Sequence, residues 1–98
     1  KTFNGNFLKN LNNFNRLELN NNQLSKIDFK SFRSMAQLKI LVFEDNCLFK
    51  IEKSVFDLNF QLRKLNIARN MIKKIKYFNF RNLFNLNFLN LSFNNIIE

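Results

Sequence analysis

The chain has 98 residues, 46% of them hydrophobic, with 16 Lys and Arg against 7 Asp and Glu, a single Gly, a single Cys and no His or Pro. That is the length of one small domain with enough apolar residues for a core. Without His, this segment excludes histidine-based acid–base catalysis and histidine metal sites; the lone Cys47 excludes an internal disulfide and one Gly excludes a phosphate-cradling loop. No cofactor, metal or enzymatic activity is expected, because Glu18, Glu44 and Asp45 fall on an open sheet rather than in a cleft that would perturb them. No apolar run approaches the roughly 20 residues that span a bilayer, so no membrane contact by this segment is expected, and no leader-like segment opens it.

In chain order, the first 13 residues form a partial unit in which Phe3, Leu8 and Leu11 precede Ile27, Phe32 and Met35 by 24 positions. A strand is predicted over 16–20: Leu17 and Leu19 point inward, while Arg16, Glu18 and Asn20 point out, because strand side chains alternate faces. Asn22 then turns the chain, and Leu24, Ile27, Phe32 and Met35 fill the core on the way back. The same order recurs with strands predicted over 40–44, 64–68 and 88–92. Full units therefore occupy 14–37, 38–61 and 62–85, and a partial one occupies 86–98.

The columns of this 24-residue ruler keep their residue types. Phe14, Leu38, Leu62 and Leu86 share one, and Leu17, Leu41, Leu65 and Leu89 the next. Leu19, Phe43, Ile67 and Leu91 share the third. Asn22, Asn46, Asn70 and Asn94 form an all-Asn column; Phe32, Phe56 and Phe80 form an all-Phe one. An amide both donates and accepts, so the Asn column can satisfy backbone groups that the turn would otherwise bury unpaired. Asn also tolerates left-handed backbone, so the turns of a chain with 20 Asn and one Gly are expected to be Asn-built. Asn59 breaks the column of Met35 and Leu83; a local shift should let Leu58 or Phe60 fill its slot.

These columns spell L-x-x-L-x-L-x-x-N-x-L-x-x-I-x-x-x-x-F-x-x-L, which resembles the leucine-rich-repeat family along the whole chain. The repeat length and the Phe column resemble the "typical" subtype of animal extracellular proteins such as Toll-like receptors, Slit-type guidance proteins and insect adhesion molecules. The resemblance implies an α/β solenoid, a horseshoe segment with a short-stranded parallel sheet on its concave face and an irregular, short-helical convex side. It also implies a protein ligand or co-receptor and an extracellular or cell-surface setting, with a cytoplasmic scaffold as the alternative. Neither a cap nor a cap-like cysteine cluster is visible, so the chain is expected to be a stretch of a longer array.

The outward strand positions are the candidate binding face: Arg16, Ile40, Lys64 and Phe88 in one column, Glu18, Val42, Asn66 and Asn90 in the next. Asn20, Glu44, Ala68 and Ser92 follow. Ile40, Val42 and Phe88 are apolar where water favours polar groups, and exposed apolar residues rimmed by charge mark interaction sites. The competing reading is that β-branched residues suit strands wherever they are. Asn90-Leu91-Ser92 is a glycosylation sequon, although a chain with 20 Asn produces about one by accident. The charge of +9 admits a polyanion-binding surface, but the lysines are dispersed, no nucleic-acid motif is present, and AT-rich coding raises Lys and Asn together.

Overall fold

A strand with alternating inward leucines cannot bury them alone; it needs neighbours of the same register. In the computed structural model, which describes residues 2–3, 15–28, 30–33 and 35–97, four such strands lie side by side. They are β2 (Arg16–Glu18), β4 (Ile40–Val42), β5 (Lys64–Asn66) and β6 (Phe88–Asn90), and all pair in parallel. The register is the sequence ruler: Leu17 pairs with Leu41, Leu41 with Leu65 and Leu65 with Leu89. A second, two-stranded parallel ribbon joins β1 (Thr2–Phe3) to β3 (Lys26–Ile27), again 24 residues apart. Leu8, Leu11 and Phe14 lie outside the described residues.

The strands are shorter than the predicted five residues. Backbone bonds of the ladder do continue into the turn, from Leu19 N–H to Val42 O at 2.8 Å and from Phe43 N–H to Asn66 O at 2.8 Å. The complementary N–H groups are captured by side chains instead. Glu44 N–H donates to Asn20 Oδ1 at 2.8 Å, Ala68 N–H to Asn66 Oδ1 at 3.0 Å and Ser92 N–H to Asn90 Oδ1 at 3.0 Å. Each strand therefore stops after three residues.

Behind the sheet, Leu41, Leu65, Phe43, Ile67, Leu48 and Ile72 are fully buried or nearly so. The Phe column closes the far side: Phe32 and Phe56 stack at 5.9 Å with planes 10° apart, and Phe56 and Phe80 at 6.4 Å and 18°. Stacked rings of this kind add about 0.5–1.5 kcal/mol per pair beyond burial. Among the described residues, the return path consists of turns, the β1–β3 ribbon and a 3-10 turn at Tyr77–Asn79.

The Asn column works as an inter-coil clamp. Asn70 Oδ1 accepts from Leu48 N–H at 2.9 Å, while its Nδ2 donates to Phe43 O in the preceding coil at 3.0 Å and to Ile67 O in its own coil at 3.1 Å. Asn46 and Asn94 repeat the pattern, taking Leu24 N–H at 3.0 Å and Ile72 N–H at 2.9 Å. Asn22 is exposed, and its amide donates to Asn20 O at 2.9 Å.

Two expectations are corrected here. Asn59 is not replaced by a neighbour: it is 1% exposed, whereas Leu58 and Phe60 are 42% and 41% exposed. Its Nδ2 donates to Phe32 O at 3.1 Å and Met35 O at 3.2 Å, which gives a polar residue a reason to stay in the core slot. Nor are the turns simply Asn-built. The residue before each clamp Asn adopts positive φ, and that position holds Asn21, Asp45, Arg69 and Phe93 with φ between 57° and 64°. Asn21 and Asp45 tolerate this backbone, whereas Arg69 and Phe93 seldom choose it and take it where the clamps of Asn70 and Asn94 hold the turn.

Candidate protein-binding face

The in-register strands bring the outward columns together as rows of stacked side chains on the open face of the sheet. Arg16, Ile40, Lys64 and Phe88 occupy one column by direct pairing; Glu18, Val42, Asn66 and Asn90 occupy the next. All of these but Asn90, together with Asn20 and Glu44, line a shallow depression of about 280 Å³. All the predicted face residues are therefore neighbours.

Their chemistry runs in linked pairs across the strands. Arg16 and Glu18 bridge at 3.0 Å on the exposed side of β2. Glu44 accepts from Asn66 Nδ2 at 3.0 Å and lies 3.8 Å from Arg69 Nε. The Arg69 guanidinium in turn sits 4.5 Å from the centre of the Phe93 ring, and Lys64 Nζ lies 5.4 Å from that of Phe88. Such cation–ring contacts contribute about 0.5–1 kcal/mol at exposed sites. Asn90 Oδ1 accepts from the Ser92 hydroxyl at 2.7 Å, closing the sequon on itself.

The apolar positions differ from expectation in degree. Ile40 and Val42 are half-buried rather than exposed, because each lies between paired residues of the flanking strands, Arg16 and Lys64 or Glu18 and Asn66. Aliphatic stems of long charged side chains cover such neighbours readily. Ala68, read as outward, is 3% exposed: it is too short to rise above its neighbours. Phe88 is the outward apolar strand residue that reaches water, with 45% of its surface accessible; Phe93, in the turn beyond the strand, is 71% exposed.

A second set of asparagines escaped the column reading. Asn79, Asn82 and Asn85 each donate a side-chain N–H to a carbonyl one coil earlier, at Ile51, Asp57 and Phe60. Their columns contain Val55, Leu58 and Gln61, so no periodic signal could have revealed them. Among the described residues, no three Cys, Asp or Glu side chains gather as metal ligands would, and no helix is long and apolar enough to cross a membrane.

Parallel strands in 24-residue register, an Asn clamp per coil and a largely helix-free return define a leucine-rich-repeat solenoid. The family profile described as leucine rich repeat matches residues 12–72, more than half of the sequence, and the chain belongs to that family. Leucine-rich repeats generally serve protein–protein interaction. A comparison with curated proteins gave no match.

Proposed function

We propose that the chain is a recognition module that grips a protein partner with the open face of its sheet. The observation that carries this reading is the apolar set Ile40, Val42 and Phe88, placed among Arg16, Glu18, Glu44 and Lys64 around one shallow depression on the outward side of the sheet. Apolar anchors with a charged rim are the usual composition of a protein interface. The 24-residue period and the Phe stack support the typical subtype, with 14–37, 38–61 and 62–85 as complete repeats and a horseshoe curvature that makes this face concave. That subtype supports a receptor or adhesion ectodomain outside the cell, where Asn90 would be open to glycosylation.

The test uses a partner recovered with the wild-type chain by cross-linking. Ile40→Asp and Phe88→Asp, with circular dichroism to verify folding, are expected to abolish that association. Retained binding in both folded variants would remove the sheet face from consideration. Secretion is read separately: a mass increase on the chain that disappears in Asn90→Gln supports the extracellular setting.

A further inference from the structure

We propose a second docking site, a lysine-ringed groove on the return side of the solenoid that takes an acidic peptide segment bearing one large apolar side chain. The groove lies where residues 49–53 of one coil face residues 73–79 of the next, and it encloses about 440 Å³. Five lysines line it: Lys50, Lys53, Lys73, Lys74 and Lys76. Glu52 is the one carboxylate among its described lining residues, and it pairs with Lys50 at 3.6 Å. The floor is hydrocarbon, supplied by Phe49, Ile51 and Phe78. Phe49, one of the lining rings, is 52% exposed and offers apolar surface to an occupant.

The charge is not a general property of the repeat. One coil earlier, a pocket of about 270 Å³ has Thr2, Lys26, Asp28 and Glu52 as its described lining residues, and among these acid outnumbers lysine. Between these coils the column Asp28, Glu52, Lys76 changes sign. The neighbouring column Ser25, Phe49, Lys73 adds a ring and then a further cation. AT-rich coding raises lysine everywhere, whereas here lysine replaces acid at one place.

Charge complementarity requires an anion, and the floor decides its kind. A sulfated glycan carries charge without hydrocarbon to cover Phe49. A single-stranded nucleic acid stacks successive bases on successive rings, but Lys53 Nζ sits 5.7 Å from the centre of Phe78 and Tyr77 packs against that ring at 5.4 Å, which leaves Phe49 as the one open ring among the described lining residues. A small amphiphile would lie half in water, because the groove is open along one side. A peptide segment meets every requirement. Its apolar side chain displaces water from Phe49 and Ile51, its carboxylates meet the lysines, and the rest of the partner closes the open side.

The intact chain is titrated into a fluorescent peptide with Phe at its centre and two Asp or Glu on each side, followed by anisotropy. Saturable binding is expected. It should weaken by about tenfold or more when the peptide Phe becomes Ser, and likewise in the double variant Lys73→Glu, Lys76→Glu. Raising the salt should weaken it as well. Lys73 and Lys76 are exposed, so the variant should fold; a melting curve checks this, and Phe49→Ser gives the same reading if the charge reversal does not fold. Equal binding of the Ser and Phe peptides, or undiminished binding by the folded variants, overturns the proposal. So does failure of the Phe peptide where a heparin octasaccharide, oligothymidylate or dodecyl phosphate binds. The groove shares no residue with the sheet face, and Phe88→Asp should leave peptide binding unchanged, so failure at either site is separable from failure at the other.

Discussion

The side-chain amide of Asn59 donates to the carbonyl of Met35, the residue that holds the same column one coil earlier, at 3.2 Å. A polar residue thus binds the backbone of the apolar residue it replaces. Its Oδ1 is buried without a partner among the described residues, while Phe32 O and Met35 O each also accept a backbone N–H. Asn59→Leu should therefore fold with stability within about 1 kcal/mol of the wild type, since it removes one orphaned acceptor and orphans no carbonyl. Asn59→Asp buries a charge facing two carbonyls and should cost about 3 kcal/mol or more at neutral pH. Urea melts of both decide it; an Asp variant as stable as the wild type would contradict the buried amide.

The clamp residues should not be equivalent. Asn70→Ala leaves Leu48 N–H without its acceptor and Phe43 O with Asn46 Nδ2 alone, and a loss of about 1–3 kcal/mol is expected. Asn22→Ala removes one exposed hydrogen bond and should cost less than about 1 kcal/mol. Equal losses in thermal melts would show that the column acts through something other than its buried bonds.

Two aromatic stacks offer a matched comparison. Phe56 is 2% exposed between Phe32 and Phe80, and Phe56→Ala should cost about 3–5 kcal/mol through lost burial and a cavity. Phe60 stacks on Phe84 at 6.0 Å, but both rings are exposed, and Phe60→Ala should cost about 1 kcal/mol or less. Denaturant midpoints of the two variants give the comparison directly.

Ser54 has a φ of 72° in the return of the second complete unit, a left-handed value without the help of a clamp. Ser54→Gly should leave stability unchanged or raise it by up to about 1 kcal/mol, and Ser54→Val should lower it, because a β-branched side chain cannot relax there. A valine variant that melts with the wild type would argue against the left-handed backbone.

What could be read in advance depended on periodicity. The strands, their pairing partners and the clamp Asn46, Asn70 and Asn94 follow from identical residue types every 24 positions, since stacking forces like onto like. Features without a repeated signature were hidden. Asn59 looked like an error in an apolar column because its partners are main-chain carbonyls, which no side-chain pattern reports. Arg69 and Phe93 gave no hint of left-handed backbone, which they take where the neighbouring amide clamp holds the turn. The outward columns pair as the 24-residue ruler implies, yet the burial of Ala68 and the half-burial of Ile40 and Val42 depend on which longer side chains flank them.

The clamp also gives the array a direction. Each Asn belongs to one coil but completes the coil before it. Lifting the coil of Asn70 away from its C-terminal side strips Leu48 N–H, a fixed backbone group in the coil left behind, and leaves Phe43 O with Asn46 Nδ2 alone. Detaching the preceding coil instead orphans a rotatable side chain that water can satisfy. Forced peeling from the two ends should therefore meet different resistance: a solenoid built from one repeated unit is mechanically polar.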